Sequence, residues 1–133
     1  MSAEYLKSKG EALERLRSSV VQNLRRLHSE GVEGEFSFTQ DLGLAKQDHQ
    51  FLSFLFPDVI PTWNRYTYTD GVLKTERLQM RGGWESASDR TRIINSREGL
   101  SLEEIPFQKF SENDLIKAAH AIEGHLKAPA SVS

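Results

Sequence analysis

A chain of 133 residues and 15.1 kDa is one domain's worth of sequence; a fold of that mass buries roughly two-thirds of the surface its unfolded chain exposes, enough for a core without staples. The absence of Cys excludes a disulfide framework, a thiolate zinc site and a cysteine nucleophile. A net charge of −2 and a pI of about 6.1 give no global field toward nucleic acid or an anionic membrane, and 38% hydrophobic with 27% charged residues is ordinary globular composition.

From Ala3 to about Ser29 the residues Leu6, Leu13, Leu16, Val20, Leu24 and Leu27 recur at helical spacing, while Lys7, Glu11, Glu14, Arg15, Arg17, Arg25 and Arg26 occupy the other faces. Gly31 and Gly34 supply the stop. About 27 helical residues span about 40 Å, longer than a compact domain of this size is wide. Either Gly10 breaks the helix or one end overhangs as a Leu-striped surface that another chain can cover.

Residues 34–39 alternate apolar and polar, with Phe36 and Phe38 on one face of a short strand. Asp41 is then placed to cap a second helix near 42–56, with Leu44, Phe51, Leu52 and Leu55 buried, ended by Pro57 and Pro61. The longest apolar cluster, Phe51-Leu52-Ser53-Phe54-Leu55-Phe56, falls far short of the roughly 18 residues that span a bilayer, so a soluble, cytoplasmic protein is expected.

The clearest local signal is a hairpin. Two β-prone runs, 62–69 and 72–81, are joined by Asp70-Gly71, a pair suited to a turn with positive φ at both positions. A two-residue loop sets Thr69 against Val72, Tyr68 against Leu73, Arg65 against Glu76 and Trp63 against Leu78. Gly82-Gly83 makes the next turn, and 84–94 returns as a further strand. Ser101 and Glu104 have capping-box spacing, but Pro106 limits that helix to about one turn. Ser111 caps the last helix, near 112–126, with Asp114 at its third position, Phe110 stapling onto Leu115, and Leu115, Ala118, Ala119, Ile122 and Leu126 buried. The expected architecture is a single α+β domain over 1–127, with a three- to four-stranded antiparallel sheet (34–39, 62–69, 72–81, 84–94) and helices mainly on one face. Residues 128–133, small and Pro-containing, are expected to form a flexible tail.

Chemistry-bearing motifs are sparse. The four His stand at 28, 49, 120 and 125; His120 and His125 are five apart, which turns them about 140° from each other on a helix, so no metal site is expected. No Gly-x-Ser-x-Gly, P-loop or Gly-x-Gly-x-x-Gly occurs, and the pairs Glu103-Glu104 and Asp48-His49 carry little weight, so neither catalysis nor a cofactor is favoured. Residues 60–98 hold seven Lys or Arg against five acids, and 31–59 one Lys against five acids; this weak asymmetry, with Trp63, Tyr66, Tyr68 and Trp84 as stacking rings, keeps a single-stranded nucleic-acid-binding sheet as an alternative. A small-molecule enzyme or carrier with a pocket between sheet and helices is another.

One face of the hairpin is apolar near its open end, through Trp63, Leu78 and Met80, and the other near its turn, through Tyr66, Tyr68 and Leu73. Packing the first group on the helices leaves the second as a patch flanked by Arg77, with the composition of a protein-contact hot spot, or else covered by the 84–94 strand or by a loop. The function expected is therefore a small non-catalytic protein-binding module, of adaptor, inhibitor, assembly-factor or immunity type. It would use Arg65, Tyr66, Tyr68, Leu73 and Arg77, the long N-terminal helix, or both. The partner expected is a protein, not a membrane; pairing of two copies through the first helix is a variant of that reading.

Overall fold

A computed structural model of the chain describes residues 3–46, 59–80 and 91–127. Helix α1 spans Ala3–Glu30 and runs through Gly10 without a break. Its end is a Schellman motif: Gly31 takes φ 62°, its N–H donates to the His28 carbonyl (3.3 Å), and the Val32 N–H donates to the Leu27 carbonyl (3.1 Å).

Four strands, β1 (Glu35–Lys46), β2 (Val59–Thr69), β3 (Val72–Met80) and β4 (Thr91–Glu98), form an open antiparallel meander in that order. The hairpin has the register expected, Thr69 opposite Val72, Tyr68 opposite Leu73, Arg65 opposite Glu76 and Trp63 opposite Leu78. Asp70 and Gly71 both take positive φ, 47° and 91°. The turn is also docked: the Asp70 N–H donates to the Gly34 carbonyl (2.9 Å), and the Gly34 N–H to Asp70 Oδ1 (2.8 Å).

The start of the expected second helix is corrected. Residues 42–46 continue β1, and the rest of 42–56 lies outside the described residues. Asp41 does accept a nearby backbone N–H, but that of Gly43 (2.7 Å), closing an Asx turn rather than capping a helix. Gly43, at φ 73°, forms part of a bulge where the pairing with β2 shifts between Asp41 and Leu44, and Leu44 ends up exposed. Of the strand expected over 84–94, residues 84–90 are likewise outside the described part, and β4 carries on to Glu98.

Two short 3-10 turns, Leu102–Glu104 and Phe107–Lys109, lead into helix α2, Glu112–Lys127. Its start is a reciprocal cap: the Asp114 N–H donates to Ser111 Oγ (3.1 Å) and the Ser111 N–H to Asp114 Oδ2 (3.2 Å). The same buried carboxylate accepts the Asp41 N–H (3.3 Å), so the cap also ties α2 to the bulge of β1.

Helix α1 packs on α2 and on both 3-10 turns, and α2 packs on β1. The core gathers Val20, Leu24 and Leu27 of α1, Leu115, Ala118 and Ile122 of α2, and Phe36, Phe38, Tyr66, Tyr68 and Leu73 of the sheet. Leu100, Leu102, Ile105, Phe107 and Phe110 close it from the connecting turns. Phe36 stacks on its cross-strand partner Tyr68 (4.9 Å between ring centres) and Phe38 on Tyr66 (5.5 Å). Arg17 departs from the expected polar face: it is buried, with Nε donating to the Phe107 carbonyl (3.1 Å) and a guanidinium nitrogen on Glu14.

Candidate functional site

The five residues expected to meet a partner do not form one surface. In β2 the even-numbered residues 60 to 68 are all buried, so this is the face turned to the helices. Tyr66, Tyr68 and Leu73 are 3%, 1% and 1% exposed within the core, so of the two readings of this face the structure shows self-packing, not an accessible patch. The physical reason is β1: its Phe36 and Phe38 lie opposite Tyr68 and Tyr66, and four stacked rings select this face for burial. Trp63, Leu78 and Met80 point to the opposite side of the sheet, where Leu78 is buried outside the main core. Arg65 is on that side too, bonded to Glu76 through Nε (3.1 Å) and Nη2 (2.8 Å). Arg77 projects from the helix-facing side of β3.

Burial changes the chemistry of the two rings. The Tyr68 hydroxyl sits between the carbonyls of Leu27 (2.9 Å) and Val32 (2.5 Å), joining the sheet to the end of α1. Loss of solvent raises the phenol pKa of both Tyr66 and Tyr68 above the ordinary tyrosine value. Neither ring is available to stack on a base.

Helix α1 offers the first candidate surface. Residues 20–27 bury Val20, Leu24 and Leu27, Leu13 and Leu16 pack partly against the core, and every residue from 3 to 12 is exposed. Tyr5 and Leu6 are 54% and 56% exposed, so the Leu stripe runs past the domain it anchors. Ala3, Leu6, Lys7, Glu11 and Ala12 are good helix formers, and extension of a nucleated helix is cheap where starting one is not.

A second candidate lies on the helix-facing side of the sheet, beyond the rings. The registers align Gln40, Asn64, Arg77 and Asn95 in one row across all four strands, next to the row Phe38, Tyr66, Thr75 and Arg97. Gln40 and Asn64 are buried, and a chain of hydrogen bonds links the row: Arg77 Nε to Asn64 Oδ1 (3.1 Å), Asn64 Nδ2 to Gln40 Oε1 (3.3 Å), and the Tyr66 hydroxyl to Gln40 Oε1 (3.4 Å). Where the row reaches β3 and β4 it lines a depression of about 280 Å³, closed on the other side by Leu100, Glu104 and Pro106. Arg97 Nη2 donates to Glu104 Oε1 (2.6 Å), and the Ser101 N–H donates to Glu104 Oε2 (2.8 Å). Arg97 foremost, with that N–H, holds the Glu104 carboxyl below the usual carboxylate range. The sequence reading missed the row as a unit. The pairing of Asn64 with Arg77 was implicit in the hairpin register, but the positions of Gln40 and Asn95 depend on the bulged registers of the outer strands.

Among the described residues no three His, Asp or Glu side chains are grouped to hold a metal ion, and no helix is long and apolar enough to cross a membrane. His125 packs its ring on Phe36 at 4.8 Å, and His49 lies outside the described residues. Comparison of the chain with protein-family models, with curated proteins and with solved structures found no match.

Proposed function

We propose that the protein is a small non-catalytic protein-binding module whose contact surface is the projecting first half of α1. The observation that carries this is the exposed run from residue 3 to residue 12, continuing the apolar stripe that elsewhere forms the core. A helix laid by its apolar face against another protein is a common recognition mode, and Leu6 and the half-buried Leu13, seven residues apart, lie on one side of such a helix with Tyr5 at its edge. Arg65 and Arg77 keep accessible guanidiniums on opposite sides of the sheet, so they do not add to one continuous contact with α1.

The test is affinity capture from the native host with the wild-type chain and with Leu6→Asp, reading the eluate for protein and nucleic acid. A stoichiometric protein held by the wild type and released by Leu6→Asp is the expected result. A partner held equally by both, or an eluate whose only companion is nucleic acid, overturns the α1 surface.

A further inference from the structure

Arg77 is held at one edge of its guanidinium and open at the other. Its Nε is committed to Asn64 Oδ1, and Asn64 is fixed in turn by buried Gln40, so the plane of the guanidinium is set by the interior of the protein. Among the described residues nothing accepts a hydrogen bond from its two Nη groups, which leaves the end-on edge of the guanidinium, a matched pair of donors, for an incoming ligand. The depression beside it is lined by the Thr75 side chain and by the Asn95 amide, which makes no hydrogen bond within the described residues. At about 280 Å³ it lies near the lower end of small-ligand sites, which run from about 300 to 1,000 Å³.

The charge in the depression selects among anions. Arg97 and Glu104 already pair with each other at 2.6 Å, so Arg77 leaves an excess of one positive charge. A planar monoanion matches both that charge and the planar donor pair, whereas a doubly charged phosphate would set an uncompensated charge beside Glu104. We infer that the depression between β3, β4 and the 101–106 turn binds the carboxylate of a small organic acid, gripped end-on by Arg77 with Asn95 and Thr75 as flanking partners. This site is separate from the α1 surface and does not depend on it.

The experiment is a titration of the isotope-labelled full chain with acetate and benzoate, followed by NMR at low ionic strength, with inorganic phosphate and chloride at matched ionic strength. Saturable shifts at Arg77 Nε–H, Thr75 and Asn95 with the carboxylates, and none or weaker ones with phosphate and chloride, are expected. Arg77→Lys should raise the dissociation constant at least tenfold, because an ammonium has no fork. Asn95→Asp, at an exposed position whose side chain makes no hydrogen bond within the described residues, should weaken binding to a similar degree by placing a carboxylate in the anion's place. It decides the matter if the Arg77 variant fails to fold. Shifts that do not saturate, phosphate or chloride binding as tight as the carboxylates, or carboxylate affinity unchanged in Asn95→Asp would overturn the assignment.

Discussion

Leu24 and Leu6 are the same residue type on the same stripe of the same helix, yet one is sealed in the core and the other is 56% exposed. Helical periodicity treats them alike, because it reports only that a face is apolar. What separates them is length: 28 residues at about 1.5 Å each outrun the layer of α2 and the 3-10 turns on which α1 packs. One helix therefore meets two environments, its second half sealed in the core and its first half leaving Tyr5 and Leu6 exposed.

The contrast is broken most forcefully from the buried end. Leu24→Ala removes a side chain that is fully enclosed by the core, so it should cost about 2–5 kcal/mol, the range seen when a large core residue leaves a cavity. Urea denaturation of the variant checks this. A loss under 1 kcal/mol would mean that the second half of α1 is not the anchor described.

The next effect is at the junction of α1 with the sheet. Tyr68→Phe keeps the ring on Phe36 but removes the hydroxyl between the Leu27 and Val32 carbonyls; the Leu27 carbonyl keeps the Val32 N–H, the Val32 carbonyl loses this donor, and about 1 kcal/mol should be lost. The same group makes the protein sensitive to alkali. Burial raises the folded-state pKa of Tyr68, and of Tyr66, above the unfolded value near 10. Below about pH 10 that stability is complete, and it is lost as pH rises toward the folded value, because only the unfolded chain readily gives up the proton. Stability measured from pH 8 upward should fall above about pH 10, and less steeply in Tyr68→Phe. Equal slopes would show that the Tyr68 phenol is not what titrates.

How much of this was legible in the sequence follows from which constraints are local. The hairpin pairing was, because Asp70-Gly71 fixes the turn and the turn fixes every cross-strand pair after it. The Ser111 and Asp114 cap was as well, since both partners lie within one helical turn. The buried face of the hairpin was not: both faces carry apolar residues, and the choice is made by Phe36 and Phe38 of β1, some thirty residues away in sequence. The same Asp41 that signals a helix start closes an Asx turn with the N–H two residues on, and only the bulge at Gly43 tells one role from the other. The polar row from Gln40 to Asn95 needs three registers at once, two of them shifted, which no window of sequence contains.

The smallest expected effect is the most informative about the other half of α1. Leu6→Ala removes a side chain more than half exposed and substitutes the best helix former, so the two contributions oppose each other and stability should stay within about 0.5 kcal/mol of wild type. Amide hydrogen exchange sharpens the point, since residues 3–12 are exposed along their whole length while 20–27 open with the core. Fast exchange in the first run and slow exchange in the second, in the same helix, is the expected pattern. A Leu6→Ala cost above 1 kcal/mol, or protection of 3–12 equal to that of 20–27 in the isolated chain, would mean that the first half of α1 is already covered. The surface proposed for a partner would then be a surface the protein uses for itself.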